Sequence, residues 1–311
     1  MIAISTYTGE KEIIFPEMAA LTIGLWIVDK RVWKVNWWQI ILLMTLGAVG
    51  GICIVRYSPL PYVLNFSLAF MFAGTCLLIS RATLIPLISA CMLPVLLHTE
   101  TWLYPIAVLS LSVIAVSGQK LMERFGIRQP IEAVFAEKTG MKDIARWSAM
   151  LFFVFLVSLL AVLLECPYFI IPPLVVTFAE MVNSKAGFRN RPTQIFLFLT
   201  VAATLGSMSQ LIGYYYLHLP EGVIALFIAG CLFCIFEWTG KYFAPAGALA
   251  FIPMLASRDS LMWLPLQASI GAALFITAAM VVFQQCYKWN RAQLIFCMTP
   301  TVLRKLIASK P

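Results

Sequence analysis

The stretch KYFAPAGALAFIPML, from Lys241 to Leu255, places two prolines and one glycine inside an apolar run. Proline has no amide hydrogen to donate, and its ring clashes with the preceding helical turn, so a helix cannot continue through it undisturbed. After Lys241 the stretch carries no charge, which is typical of a segment buried in a bilayer. It is nevertheless shorter than the roughly 20 residues that a crossing helix needs. We therefore predict a short, interrupted helix at this point.

Composition assigns the whole chain to the membrane proteins. Of the 311 residues 61% are hydrophobic and 12% are charged, and the mean hydropathy is +0.90. An average soluble domain has roughly 25% charged residues. Because only helices and closed barrels satisfy their backbone groups in lipid, we predict an all-α, polytopic transmembrane protein. No cleavable signal peptide is predicted, and the eight cysteines lie within or beside apolar runs, where they indicate neither disulfides nor a zinc site.

Charged and proline- or glycine-rich breaks divide the chain into about eleven apolar segments. These are 12–28, 37–57, 62–80, 82–97, 101–120, 147–165, 168–182, 193–216, 219–238, 243–256 and 262–285. Segments 82–97, 168–182 and 243–256 are too short to cross as continuous helices at 1.5 Å per residue. We predict that they cross as broken or re-entrant helices.

The positive residues indicate an orientation. If every segment crosses, the loop lysines and arginines fall on one side, which we call the basic face, except Lys11, Arg56 and Arg258. By the positive-inside rule the basic face is cytoplasmic, which predicts an outside N-terminus and a cytoplasmic C-terminus. We expect a bacterial cytoplasmic membrane as the location. The net charge of +8 is then a consequence of topology, and no nucleic-acid partner is predicted.

Three stretches of the first half resemble three stretches of the second half in the same order. EIIFPEMAAL from Glu12 resembles FIIPPLVVTF from Phe169, QIILLMTLGAVGG from Gln39 resembles QIFLFLTVAATLG from Gln194, and TLIPLISACMLPVLL from Thr83 resembles YFAPAGALAFIPMLA from Tyr242. The offset is near 157 residues, and six crossings separate each segment from its counterpart. The pattern predicts two parallel repeats that each contain short broken helices.

The repeats set the expected domain boundaries. We predict a first transmembrane repeat at 1–122, a cytoplasmic amphipathic linker helix at 123–146, a second repeat at 147–287 and a basic cytoplasmic tail at 288–311. No apolar segment precedes Glu12 to match 147–165, so the first copy is expected to hold five segments and the second six.

The stretch FAPAGALAFIPML resembles the HPP family of integral membrane proteins, named for a His-Pro-Pro motif that runs into small residues. Pro245 keeps the second proline, whereas Phe243 stands in place of the histidine and Ala244 in place of the first proline. IIPPLVVTFAEM (170–181) and FRNRPTQ (188–194) resemble the family's short proline-containing helix and its basic loop. The likeness covers about 147–285. It implies a transporter, because some members have been associated with nitrite transport.

The broken segments also suggest a binding site. A helix that starts after a proline leaves amide groups without intrahelical partners, together with about half a positive charge. Several such starts that converge near the membrane midplane would bind a small solute, above all an anion. The candidate substrate-binding residues are Pro16, Glu17, Asn65, Pro86, Pro172, Pro173, Thr177, Gln194, Pro245, Ala246 and Gly247. The alternative is proline kinks and small-residue packing without a ligand.

Carboxylates within the segments have two interpretations. Glu17 follows Pro16 at the start of a broken segment and could couple transport to protons, or it could be an ordinary first-turn residue near the outer interface. Glu165, Glu180 and Glu237 lie near segment ends and are expected at the interface.

We therefore predict a membrane permease for a small solute, above all an anion, without catalytic residues, metal or cofactor. An enzyme is not favoured, because the two histidines lie near loops and no paired carboxylates or Ser/Lys nucleophile stand out. The alternative is a lipid translocator or a membrane scaffold or assembly protein. A homo-oligomer is left open.

Overall fold

A computed structural model of the chain describes residues 1–28, 32–128, 140–183 and 191–287. These residues form helices and connecting turns and no strand. The all-α prediction is therefore confirmed for the described ranges. The α-helices are α1 (Ile2–Thr8), α2 (Glu17–Thr22), α3 (Trp37–Tyr57), α4 (Tyr62–Ser80), α5 (Pro86–Leu97), α6 (Leu103–Arg124), α7 (Met141–Leu163), α8 (Pro172–Asn183), α9 (Pro192–Ser209), α10 (Glu221–Thr239), α11 (Ala244–Phe251), α12 (Arg258–Leu261) and α13 (Leu264–Tyr287).

Seven of the helices that the structure describes are long and apolar enough to cross a membrane: α3, α4, α6, α7, α9 with its π-helical extension, α10 and α13. Three shorter apolar stretches, Pro86–Leu97, Pro167–Asn183 and Ala244–Leu255, coincide with the three segments predicted to be broken. Helix α2 continues as a π-helical turn, Ile23–Ile27. The chain is therefore a multi-helix membrane protein.

Prolines determine where the short helices begin. Pro86 and Pro172 are the first residues of α5 and α8, Pro245 is the second residue of α11, and α2 follows Pro16 directly. At these positions the missing amide hydrogen breaks no helical hydrogen bond, and the fixed φ angle already suits a helix. The backbone of Phe243, the residue just before α11, is extended, so the chain changes from extended to helical at this point.

The four short helices meet in the middle of the protein, in an arrangement that we call the crossing. Helix α2 packs on α11 and α5 packs on α8, while α2 also contacts α5 and α8 contacts α11. Long helices surround them: α3 packs against α5 and α6, and α9 packs against α11 and α13. Residues that are distant in the chain thus share one core.

The first helix of each half packs on the other half. Helix α7 packs against α4, and the short α1 packs against α10. Each of them also contacts the 3₁₀ turn that follows it, Pro167–Ile170 after α7 and Lys11–Ile13 after α1. The sequence pattern indicated nothing before Glu12, and α1 was missed because its seven residues are too short and too polar to form an apolar segment.

The linker prediction needs a correction at its end. Residues 141–146 form the first turns of α7, whose start is fixed by Asp143, because this carboxylate accepts a hydrogen bond of 3.0 Å from the Gly140 amide. Such a contact marks the first turn of a helix, so α7 begins here and the linker ends before it. The middle of the predicted linker helix, 129–139, and the predicted tail, 288–311, lie outside the described residues.

Candidate functional site

Matching close contacts join a long helix to a short helix in each half. A methyl group on Gly51 of α3 would overlap the carbonyl oxygen of Cys91 and lie 3.0 Å from Pro94 Cγ. A methyl group on Gly206 of α9 would overlap the carbonyl oxygen of Ala250 and lie 3.0 Å from the Cγ atom of Pro253. Glycine is required at both positions, because only a residue without a side chain lets the two backbones approach so closely.

The two halves satisfy the carbonyl group that faces the internal proline in different ways. In α5, Pro94 cannot donate to the carbonyl of Ala90, and the Tyr104 hydroxyl donates to that carbonyl instead, at 3.0 Å. In the second half the helix narrows to a 3₁₀ turn at Ile252–Leu255, and the amide of Ile252 bonds to the carbonyl of Leu249. Helix α5 therefore continues past its proline, whereas α11 does not.

A buried carboxyl group lies at the crossing. Glu17, the first residue of α2, is 1% exposed, and its Oε1 atom accepts a hydrogen bond from the hydroxyl of Ser89 on α5. Its Oε2 atom has no hydrogen-bond partner among the described residues, and no described lysine or arginine forms an ion pair with it. Tyr104 is buried close by. Glu17 is therefore a protein-enclosed carboxyl group and not a solvated interfacial one.

A second carboxyl group is buried on α8. Glu180 is 8% exposed and lies beside the indole of Trp33, and its Oε1 atom has no hydrogen-bond partner in the described ranges. Glu180 was expected at the membrane interface; the structure shows that protein covers it, because the Trp33 ring, which is 4% exposed, packs against Gly24 and Glu180. The sequence pattern did not indicate this contact, because Trp33 is distant from Glu180 in the chain.

Small residues make the contact between α2 and α11. A methyl group on Gly247 would overlap Ile23 and lie 3.7 Å from the Cβ atom of Ala19, and Ala246 is fully buried beside it. Pro16 and Gly247 also line a crevice of about 230 Å³ among α1, α2, α10 and α11, whose walls are almost entirely apolar. At this point the crossing is closed by packing.

The other predicted site residues lie in different surroundings. Asn65 sits near the start of α4, where it accepts a hydrogen bond of 2.6 Å from Ser58 and donates one of 3.0 Å to the carbonyl of Leu60. Thr177 is buried in α8 and donates to the carbonyl of Pro173 in its own helix, at 2.8 Å. Gln194 lies at the start of α9 and accepts a hydrogen bond of 2.7 Å from Lys241. The structure thus brings Glu17 to the crossing, but not Asn65 or Gln194.

The prolines that open the short helices line the crossing with backbone. Pro86, Pro172 and Pro173 are buried, and so are the residues that follow them in α5 and α8. The prolines have no amide hydrogen, and the amides that follow them donate to carbonyls just before each helix: Leu87 to Leu84 and Ile88 to Ile85 at α5, and Leu174 to Ile171 at α8. Among the described residues, the unpartnered polar atom at the crossing is therefore Glu17 Oε2. Within the described ranges, no group of three or more histidine, cysteine, aspartate or glutamate residues is arranged to hold a metal ion.

No protein-family model, curated protein or solved structure matches this chain.

Proposed function

We propose that this protein is a membrane permease for a small solute and that the solute passes through the crossing of α2, α5, α8 and α11. The observation that carries the proposal is the Glu17 carboxyl group, which is buried at the start of a short helix and has one oxygen without a partner among the described residues. Ionisable groups at membrane depth are costly, and in membrane proteins they mark substrate, ion or proton pathways. Interrupted helices at the same depth are a common way to build such a site.

The proposed solute is anionic, and it moves together with a proton. The helix starts around the crossing favour negative charge. The negative charge nearest to the start of α2 is that of Glu17 itself, and a charged Glu17 would repel an anion. Protonation of Glu17 removes the repulsion, so the positive ends of the helix dipoles can attract the solute. Anion binding and proton binding are therefore coupled at this site.

Glu180 fits a second step of the same proton path. In the alignment of the two halves Glu17 corresponds to Leu174, so Glu180 lies six residues further along the equivalent short helix. Six residues of α-helix span about 9 Å, which places the two carboxyl groups at different depths in the proposed repeat architecture. The matching contacts of Gly51 and Gly206 support that architecture, as does the resemblance of the second half to the HPP family.

The test is uptake into proteoliposomes that contain the purified chain, with a panel of labelled small anions and neutral metabolites. We expect uptake of an anion that a pH gradient, acid outside, drives above equilibrium. Glu17→Gln keeps the size of the side chain but cannot change charge, so it abolishes accumulation against the gradient. Ser89→Ala weakens accumulation, because it removes the donor to Glu17.

Two matched variants control for burial. Glu221, at the start of α10, is 4% exposed and accepts hydrogen bonds from Thr6 and Gln210. Ser158 is buried in α7, and its hydroxyl donates a hydrogen bond to the carbonyl of Val154. We expect Glu221→Gln and Ser158→Ala to retain proton-driven uptake. Equal loss in the Glu17 and Glu221 variants, or no uptake of any solute, would contradict the proposal.

The apolar crevice beside Pro16 and Gly247 favours a second candidate, a lipid translocator. Its lining residues from α1, α2, α10 and α11 suit an acyl chain better than a small anion. Vesicles with a fluorescent lipid in one leaflet distinguish the two functions. Transfer of the lipid between leaflets without uptake of any small solute supports the translocator.

A further inference from the structure

A second cavity, which carries positive side chains, lies away from the crossing, between the starts of α9 and α11. It has a volume of about 250 Å³, and its walls are Arg191, Gln194, Ile195, Phe198, Lys241, Tyr242 and Phe243. Arg191 directly precedes α9 and Lys241 lies three residues before α11, so both positive side chains belong to loops of the basic face. The cavity combines two cations, an amide side chain and aromatic walls.

The corresponding place in the first half is closed by the protein itself. There the residue before α3 is Asn36, and its amide donates to the Oε1 atom of Gln39 at 2.9 Å, in a capping box that satisfies the helix start. The amide of Lys34 donates to the Thr83 hydroxyl at 2.7 Å, and the amide of Thr83 donates to the carbonyl of Lys34 at 3.3 Å. These bonds draw the two loops of the first half together.

In the second half, positively charged residues stand at two positions of these loops where the first half has neutral residues. In the alignment of the halves Arg191 takes the place of Asn36 and Lys241 takes the place of Ala82. Gln194, the counterpart of Gln39, accepts the Lys241 hydrogen bond, and none of the described side chains caps the start of α9. In the first half the two loops hydrogen-bond to each other and the helix start is capped. In the second half the helix start has no described side-chain cap, and two cations lie beside it.

The two cations lack a described acidic counter-ion. No ion pair joins Arg191 or Lys241 to a carboxylate in the described ranges, and Glu237 nearby accepts its hydrogen bond from the Tyr242 hydroxyl. Burial and the neighbouring Arg191 guanidinium lower the pKa of the Lys241 ammonium group. Two like charges that face one cavity repel each other, and an anion between them relieves the repulsion.

We propose that this cavity is a binding site for a phosphate group, held by Arg191 and Lys241 at the start of α9. The guanidinium offers paired donors to two phosphate oxygens, and the ammonium and the Thr193 amide offer further donors. The group belongs either to an anionic lipid, since basic pockets between membrane helices bind lipid headgroups, or to a free phosphate ion. The proposal does not depend on transport through the crossing.

The experiment uses the full chain in lipid nanodiscs and compares the wild type with the double variant Arg191→Gln/Lys241→Gln. In the lipid arm, discs hold a mixture of phosphatidylglycerol and phosphatidylcholine, and native mass spectrometry counts the phosphatidylglycerol that stays bound to the released protein. In the phosphate arm, discs hold phosphatidylcholine alone, and the thermal unfolding temperature is followed as inorganic phosphate is added. Arg81→Gln is the control, because Arg81 is exposed in the loop of the first half that corresponds to the Lys241 loop.

We expect the double variant to lose retained lipid or phosphate affinity by roughly tenfold or more, and Arg81→Gln to behave like the wild type. Loss in the lipid arm alone identifies a headgroup site, and loss in the phosphate arm identifies a free-ion site. The proposal is overturned if neither ligand binds, or if the double variant binds as well as Arg81→Gln does. An unfolding temperature of the unliganded double variant at or above that of the wild type shows that the protein is folded.

Discussion

In each half, one glycine determines how closely a long helix approaches the neighbouring short helix. Gly51 and Gly206 each sit against a carbonyl oxygen on the neighbouring short helix, next to a proline ring. Because the obstacle is backbone, no side-chain rotation can make room for a larger residue. These two positions therefore tolerate substitution less well than a helical glycine that faces open space.

Alanine at Gly51 or Gly206 is expected to lower the free energy of unfolding by about 1–3 kcal/mol, the usual cost of overpacking a core. Gly230 on α10 is the matched control, because a methyl group there meets no atom within 4 Å. Alanine at that position should be neutral or stabilising by up to about 1 kcal/mol, through helix propensity. Thermal unfolding of the three purified variants checks the order, and equal unfolding temperatures would contradict it.

Lys241 gives a pH-dependent prediction. Its lowered pKa means that the folded protein holds this proton less firmly than the unfolded chain, so the charged form costs folding free energy at neutral pH. The cost disappears only as the pH rises through the ordinary range of lysine, near pH 10. Lys241→Gln should therefore raise the unfolding temperature in phosphate-free buffer at pH 7, and the gain should shrink toward pH 10. A gain that is independent of pH would contradict this explanation.

At the scale of elements, sequence reasoning predicted the short helices well. The predicted segments 82–97, 168–182 and 243–256 correspond to helical stretches at 86–97, 167–183 and 244–255, because a proline fixes a helix start from local geometry alone. The burial of Glu180 could not be predicted, since it depends on Trp33, which is distant in the chain. The place of Gln194 was missed for the same reason, because its partner Lys241 follows 47 residues later.

Helix α5 provides a test of how an internal proline is accommodated. Tyr104→Phe leaves the Ala90 carbonyl without its donor and should cost about 1–3 kcal/mol of stability. Pro94→Ala restores an amide that can reach the same carbonyl, so we expect it to reduce the cost of Tyr104→Phe in the double variant. Tyr62→Phe is the control, since the buried Tyr62 hydroxyl has no partner among the described residues, and it should not destabilise. Strictly additive effects of Tyr104→Phe and Pro94→Ala would contradict the shared-carbonyl explanation.

At the scale of the whole molecule, the halves are joined crosswise. The short helices of one half pack on those of the other, α7 of the second half lies on α4, and α1 of the first half lies on α10. No half buries its own apolar surface alone. We therefore expect the chain to fold as one unit, although its sequence pattern indicates two copies.

Cutting the chain between α6 and α7 tests this joining. Residues 1–134 and 135–311, produced together as separate polypeptides with a tag on the first, should be recovered as a complex from detergent extracts of the membrane. Either fragment produced alone should be degraded faster, because the crossing would lose two of its four helices. Recovery of each fragment as a stable monomer would contradict crosswise packing.

The shortness of α1 gives the molecule two unlike flanks. On one flank the 23-residue α7 shields α4, whereas on the other flank only seven residues shield α10, and the share buried is 44% for α4 but 22% for α10. We expect hydrocarbon tails to occupy the remaining surface of α10, so acyl-chain length and saturation should act chiefly on the second half. Bilayer thickness would then shift the balance between the halves without any change in the protein itself.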